Sequence, residues 1–308
     1  MAARSQVPPA QIHGDVAPGF GLVADTFRAQ LAERQAIGAA CAVERDGEVL
    51  VDLWGGQRDG RRGLPWERDT LVPVFSTTKG MASMALAVAH SRGHLDLEER
   101  VAAYWPEFAQ HGKEQVTVRQ LLSHQAGLAA LDEPIGAGCL SDPGALASRL
   151  ARQAPLWEPG SRQGYHFGGV GNARGIARAY GELATGGRRL GLRPATPTAL
   201  ETPAAPPPGG RRDLVLHSDI PFSLGYARAF PGFPLGTDQR SYAMAGAGGS
   251  IGMADPALGV GFAYTPNRMG FGSPTDPREV ALRDALYRCL DGPRQDPRAH
   301  RDTRVAAR

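Results

Sequence analysis

Ser76-Thr77-Thr78-Lys79 pairs a hydroxyl with an amine at a spacing that could do chemistry. On a helix, residues three apart share a face, so the lysine nitrogen can lie beside the serine oxygen. A neutral amine there can take the hydroxyl proton and turn the serine into a nucleophile. The start of a helix assists, because its unpaired N–H groups and dipole favour a developing oxyanion and lower the pKa of nearby groups. The string alone is weak, and the competing reading is an N-cap followed by a solvated lysine. Two features favour chemistry. Residues 76–92 open with hydroxyl cap formers and continue as an almost wholly apolar, alanine-rich stretch, which is a buried helix rather than a wet face. Lys79 and Lys113 are also the only lysines among 34 basic residues. Arginine stays protonated at any working pH, so it serves for charge but cannot replace a lysine that acts as a base.

Other candidates are weaker. Gly248-Gly249-Ser250-Ile251-Gly252 fits G-x-S-x-G, but that elbow needs a strand before it and a helix after it, and a hairpin from Met253 to Tyr264 is expected here. Ser250 is therefore read as part of close backbone packing among glycines. His90 and His94 have the i, i+4 spacing of a metal pair, yet Gly93 intervenes and no glutamate completes H-E-x-x-H, so they are read as helix-end and surface residues. His124 reads as a hydrogen-bonded core histidine and Lys113 as a structural ion-pair donor in a loop. The glycines at 168–171 and 246–249 never complete G-x-G-x-x-G, which argues against a dinucleotide site.

Four segments carry a resemblance: DTLVPVFSTTKG from Asp69 to Gly80, YWPEF from Tyr104 to Phe108, VRQLLSHQAGL from Val118 to Leu128, and GAGGSIGMADP from Gly246 to Pro256. Together they resemble the β-lactamase-related serine hydrolases, and within them the family VIII carboxylesterases, which share the class C β-lactamase and penicillin-binding-protein fold. The likeness runs from about residue 20 to 290. It implies that Ser76 is the acylated nucleophile, Lys79 its base, and Tyr165 the phenol that shares the acid–base work and protonates the leaving group. It implies an oxyanion hole from the backbone N–H groups of Ser76 and Ala247. Phe75, His166, Met244, Gly246 and Gly248 would line the substrate pocket. No metal and no organic cofactor is implied.

Two departures from the family's pattern shape the expected activity. The third motif, commonly His-x-Gly or Lys-Thr-Gly, aligns with Met244-Ala245-Gly246, so the cation that would anchor a β-lactam carboxylate is missing. This favours a carboxylesterase on short-chain esters over a β-lactam or amide hydrolase or an acyltransferase. The stretch between Tyr165 and Met244 is also shorter than in the family, and this leaves open a catalytically impaired relative that only binds.

The elements that must hold these residues can be read from pattern. Phe20, Val23, Phe27 and Leu31 form one helical stripe. Gly38–Val43 and Glu48–Trp54 read as strands joined at Asp46-Gly47, a pair suited to a tight hairpin. Helical pieces are expected at 116–122, 144–152 and 173–184, and strands at Phe222–Ala227, Ser250–Ala254 and Gly259–Tyr264, before a closing helix at Val280–Leu290. The expected fold is α+β: an antiparallel sheet from both chain ends, with flanking terminal helices and a helical middle. The expected division is a sheet part at 20–70 and 214–291, a helical part at 71–190, a linker at 191–213 and a frayed tail at 292–308.

Composition bounds the partners. The 308 residues carry a net charge of +3 with both signs mixed along the chain, which offers no footprint for nucleic acid. No uncharged run could span a bilayer and the start lacks the apolar stretch of a signal peptide, so a cytoplasmic protein acting on a small-molecule ester or amide is expected. Cys41, Cys139 and Cys289 are odd in number and far apart, which suits small apolar residues rather than disulfides or a zinc site. Oligomeric state is not legible.

Overall fold

The structure, a computed structural model, describes residues 11–33, 35–132, 142–165, 170–270 and 275–291. In chain order the elements are β1 (Ile12–Val16), α1 (Gly21–Ala32), β2 (Gly38–Arg45), β3 (Glu48–Asp59), β4 (Leu64–Pro65), β5 (Val72–Pro73), α2 (Thr77–Ser91), α3 (Val101–Tyr104), a 3-10 turn (Pro106–Phe108), α4 (Val118–Leu122) and α5 (Pro143–Arg152). They continue with β6 (Val170–Gly171), α6 (Ala173–Ala184), α7 (Ala195–Glu201), β7 (Ala227–Arg228), β8 (Tyr242–Gly246), β9 (Ser250–Asp255), β10 (Val260–Pro266) and α8 (Pro277–Leu290). The architecture is an α+β sandwich. Its described residues fall into two compact units, one of 11–78, 170–186 and 235–291, the other of 79–165 and 187–234.

The first unit holds an antiparallel sheet in the order β1-β3-β2-β10-β9-β8, with β4 paired to β3. The β2–β3 hairpin turns at Asp46 and Gly47, whose φ angles of 50° and 86° are both positive, as a two-residue loop that follows strand twist requires. Strands β9 and β10 are buried on both faces, and the two faces differ in size. Because side chains alternate along a strand, Gly252 and Ala254 share one face with their partners Ala263 and Gly261. Ile251, Met253, Phe262 and Tyr264 share the other. Helix α6 lies on the small face: a Cβ at Gly252 would stand 2.3 Å from the Tyr180 ring, and one at Gly261 would stand 2.1 Å from the backbone nitrogen of Gly181. These glycines let helix and sheet approach backbone to backbone. Helix α1 buries Val23, Phe27 and Leu31, packing against β2, β3 and α8. Each such large apolar side chain contributes about 1.5–3 kcal/mol when fully buried.

The second unit carries the helices. In α4 the Thr117 side chain accepts from the N–H of Gln120 while the Gln120 side chain accepts from the N–H of Thr117, a reciprocal cap that starts the helix at this point. Lys113 is fully buried, expected as an ion-pair donor, yet its Nζ donates to the carbonyls of Gln110 and Gln153 and lies 5.3 Å from the Phe108 ring centre. It joins the loop before α4 to the end of α5.

Several expectations are corrected. The stretch 191–213 contains α7, which buries Thr196 and Leu200. Phe222–Ala227 is a tight turn rather than a strand: Gly225 has φ 82°, the Ser223 N–H donates to the Tyr226 carbonyl at 2.8 Å, and only Ala227–Arg228 is extended as β7. The turn packs so closely on α2 that a Cβ at Gly225 would stand 1.8 Å from Ser83 Oγ. Helix α6, expected in the helical part, lies with the sheet. Strand β1, which pairs Ile12–Val16 with Val51–Gly55, carried no clear pattern in the sequence. Cys41 is buried and Cys289 half-buried. Cys139 and the tail from residue 292 lie outside the described residues.

Candidate active site

Ser76 immediately precedes helix α2 and is 2% exposed. The turn that delivers it runs through Phe75, whose φ is 44°. A bulky aromatic residue in the left-handed region is a backbone outlier that costs on the order of 1–3 kcal/mol and persists only when its surroundings enforce it. The surroundings here are identifiable. The Thr77 N–H donates to the Val74 carbonyl and the Thr78 N–H to the Phe75 carbonyl, each at 3.1 Å. Ser250 Oγ donates to the same Val74 carbonyl at 2.8 Å and lies 3.1 Å from Thr77 Oγ1. Gly246 completes the clamp, since a Cβ there would stand 2.1 Å from the Val74 oxygen. The end of β8 and the start of β9 are thus stitched to the turn that carries Ser76.

Ser250 opens strand β9, and the next element is strand β10 rather than a helix. Its hydroxyl is buried and donates to the Val74 carbonyl, so it supports the Ser76 turn. Met244 is buried in β8 opposite Gly252, and Gly246 faces Ser250 across the β8–β9 hairpin. Ala247 and Gly248 form the tip of that hairpin, with Gly248 at φ 88° and the Gly249 N–H donating to the Gly246 carbonyl at 3.1 Å.

In the second unit, Lys79 lies in the first turn of α2, and its Nζ is 4.5 Å from the centre of the Tyr165 ring. Burial pushes the Lys79 amine down from 10.5 to about 8. Tyr165 is buried, stacked on Phe222 with ring centres 6.1 Å apart and an interplanar angle of 8°. His124 packs against both rings, 4.9 Å from Tyr165 and 4.5 Å from Phe222. Its carbonyl accepts the N–H of Gly164, the neighbour of Tyr165, at 2.9 Å. His124 holds φ 60°, so backbone and ring both serve to place the tyrosine. Sequence pattern marked it as a core histidine and gave no sign of this contact. Tyr226 donates its phenol proton to the Gly80 carbonyl, holding the first turn of α2.

Of the expected site residues, Lys79 and Tyr165 are therefore in contact, and Ser76 with Phe75 is held against the β8–β9 hairpin that bears Met244, Gly246, Ala247 and Gly248. His166 lies outside the described residues. His90 is bound through Nδ1 to Thr196 Oγ1 at 3.0 Å, a helix-end contact.

The sequence profile of the Beta-lactamase family matches residues 23–185, more than half of the chain. The protein belongs to that family. It is similar to "Esterase/beta-lactamase LipL" of Mycobacterium tuberculosis (strain ATCC 25618 / H37Rv), 26% identical over 84% of this chain and 83% of the relative. A segment covering 33% of this chain and 27% of the relative is 36% identical to "Esterase EstB" of Burkholderia gladioli. Among solved structures, a family VIII carboxylesterase superposes with a TM-score of 0.83 at 30% identity, covering 91% of this chain and 100% of the other. A penicillin-binding protein homolog from Caulobacter crescentus gives the same TM-score at 29% identity, with the same coverage of both chains. Family and likeness together support hydrolase chemistry. No helix among the described residues is long and apolar enough to cross a membrane.

Proposed function

We propose that the protein is a serine hydrolase that works through an acyl-enzyme at Ser76 and acts as a carboxylesterase on short-chain esters. The observation that carries the reading is the half-buried Lys79 amine, lowered to about 8, in the first turn of α2 and against the Tyr165 ring. Such an amine is neutral in a useful fraction of molecules near neutral pH, which an ordinary lysine is not.

In the proposed reaction Lys79 Nζ takes the Ser76 proton as Oγ bonds to the ester carbonyl carbon. The carbonyl oxygen gains the charge, and the N–H groups of Ser76 and Ala247 stabilise it. Collapse breaks the bond to the alkoxy oxygen, which leaves as the alcohol with a proton delivered through Tyr165. Water then attacks the acyl-enzyme, gives up a proton to the same basic groups, and releases the acid as Ser76 regains its hydrogen. Met244 supports an ester over a β-lactam, because its buried thioether supplies no charge for a carboxylate.

Hydrolysis of p-nitrophenyl acetate with rapid mixing tests this. One equivalent of p-nitrophenol should burst from the wild type and vanish in Ser76→Ala, while Ser250→Ala keeps a burst. A burst retained in Ser76→Ala and lost in Ser250→Ala would reverse the assignment. A folded wild type with no turnover of any ester would leave a binding role.

A further inference from the structure

The hairpin tip that bears Ala247 is a glycine-rich turn, Gly246-Ala247-Gly248-Gly249, and such a turn has too much backbone freedom to aim an N–H group unaided. Gly246 is fixed by its fit against Val74 and Ser250. The other end is fixed by Arg278, in the first turn of α8 and 5% exposed. One nitrogen of its guanidinium donates to the Gly248 carbonyl at 2.8 Å and to Asp276 Oδ2 at 2.7 Å. Its Nε donates to Asp276 Oδ1 at 2.8 Å. Its remaining nitrogen donates to the carbonyls of Gln35 at 3.1 Å and Arg268 at 3.0 Å. All five guanidinium hydrogens are thereby used, and the Gly248 carbonyl also accepts the Gly270 N–H at 3.1 Å. Asp276 fills the remaining space: a Cβ at Gly249 would stand 2.5 Å from its Oδ2, and one at Gly270 would stand 1.9 Å from it.

A buried ion pair is a poor device for stability, since desolvation cancels most of its attraction and apolar residues of similar size do as well. A planar fork that addresses five acceptors in fixed directions is a good device for position. We infer that Arg278, held by Asp276, is a positioning residue that aims the Ala247 N–H at the oxyanion by pinning the Gly248 carbonyl. The inference rests on the proposed acyl-enzyme reaction and adds to it a residue about thirty positions downstream, on a different element.

The test uses Arg278→Lys, which keeps the charge beside Asp276 but cannot fork to Gly248. The burst amplitude with p-nitrophenyl acetate counts competent sites, so kcat per competent site separates aim from folding. Per site, kcat should fall about 10- to 100-fold with KM within about twofold, below the loss seen when an oxyanion donor is removed outright. Binding of phenylboronic acid, a tetrahedral mimic of the intermediate, should weaken by a similar factor. A merely structural role would lower the burst amplitude and leave kcat per site and boronate affinity unchanged, and that result overturns the inference. If Arg278→Lys does not fold, the paired change Asp276→Asn with Arg278→Met keeps the helix cap, removes both charges together and must show the same two losses. A wild type with no burst and no boronate binding would instead remove the acyl-enzyme reading itself.

Discussion

The side-chain nitrogen of Lys79 lies 4.5 Å from the centre of the Tyr165 ring. The ring face attracts a cation, an effect of about 0.5–2 kcal/mol. Burial opposes it and wins, since the amine is lowered to about 8. The site thus keeps a lysine close to its point of deprotonation.

The pH dependence follows with a definite sign. Lys79 acts as a base only when neutral, so kcat/KM for a neutral ester should rise as pH climbs through about 8 and level off above it. Lys79→Arg, which cannot deprotonate, should lose activity at least about 100-fold at every pH. The linked effect on folding has the opposite origin: the cost of burying the ammonium is fully present below about 8 and is relieved between about 8 and 10.5, where the unfolded chain holds more protons. Rate profiles of the two proteins from pH 6 to 10 read the first effect.

Ser250→Ala removes the donor to the Val74 carbonyl. That carbonyl keeps the Thr77 N–H, so the loss is that of one net hydrogen bond, and urea unfolding should show about 0.5–1.5 kcal/mol. The Phe75 turn loses one of its clamps, and kcat should fall about tenfold without vanishing. Complete loss would assign Ser250 a chemical role.

Lys113 offers a contrast between the two lysines. Its nitrogen serves the carbonyls of Gln110 and Gln153. Lys113→Met should lower stability by about 2–4 kcal/mol, through two carbonyls deprived of a charged donor, and leave the shape of the pH–rate profile unaltered. Thermal melting and the same rate profile check both halves.

Met244 predicts substrate class. If, as proposed, the buried Met244 thioether stands where a β-lactam carboxylate would need a cation, nitrocefin turnover should be at least about 100-fold slower, as kcat/KM, than p-nitrophenyl acetate turnover. Parallel assays of one preparation decide it.

Much of this could be read before any coordinates. Asp46-Gly47 announced its hairpin because the turn chemistry is local, and Ser76 with Lys79 stood out because helix spacing is local too. Helix α7 was hidden because Pro, Ala and Thr give no helical stripe; what holds it is the burial of Leu200 and Thr196, a tertiary effect. Lys113 was misread for a similar reason, since its acceptors are backbone carbonyls that no residue type reveals. The clamps on the site were out of reach altogether. Ser250 meets Val74 across 176 positions, and Arg278 meets Gly248 across 30. His124 touches Tyr165 only because the two chain segments are brought side by side.

The central claim is a covalent acyl bond at Ser76, and mass spectrometry after a brief incubation with p-nitrophenyl acetate, followed by acid quench and peptide mapping, tests it most directly. The account predicts one acetyl group per chain on the peptide containing Ser76, absent in Ser76→Ala. An acetyl group on Ser250, or none on either serine while ester is being turned over, would contradict it.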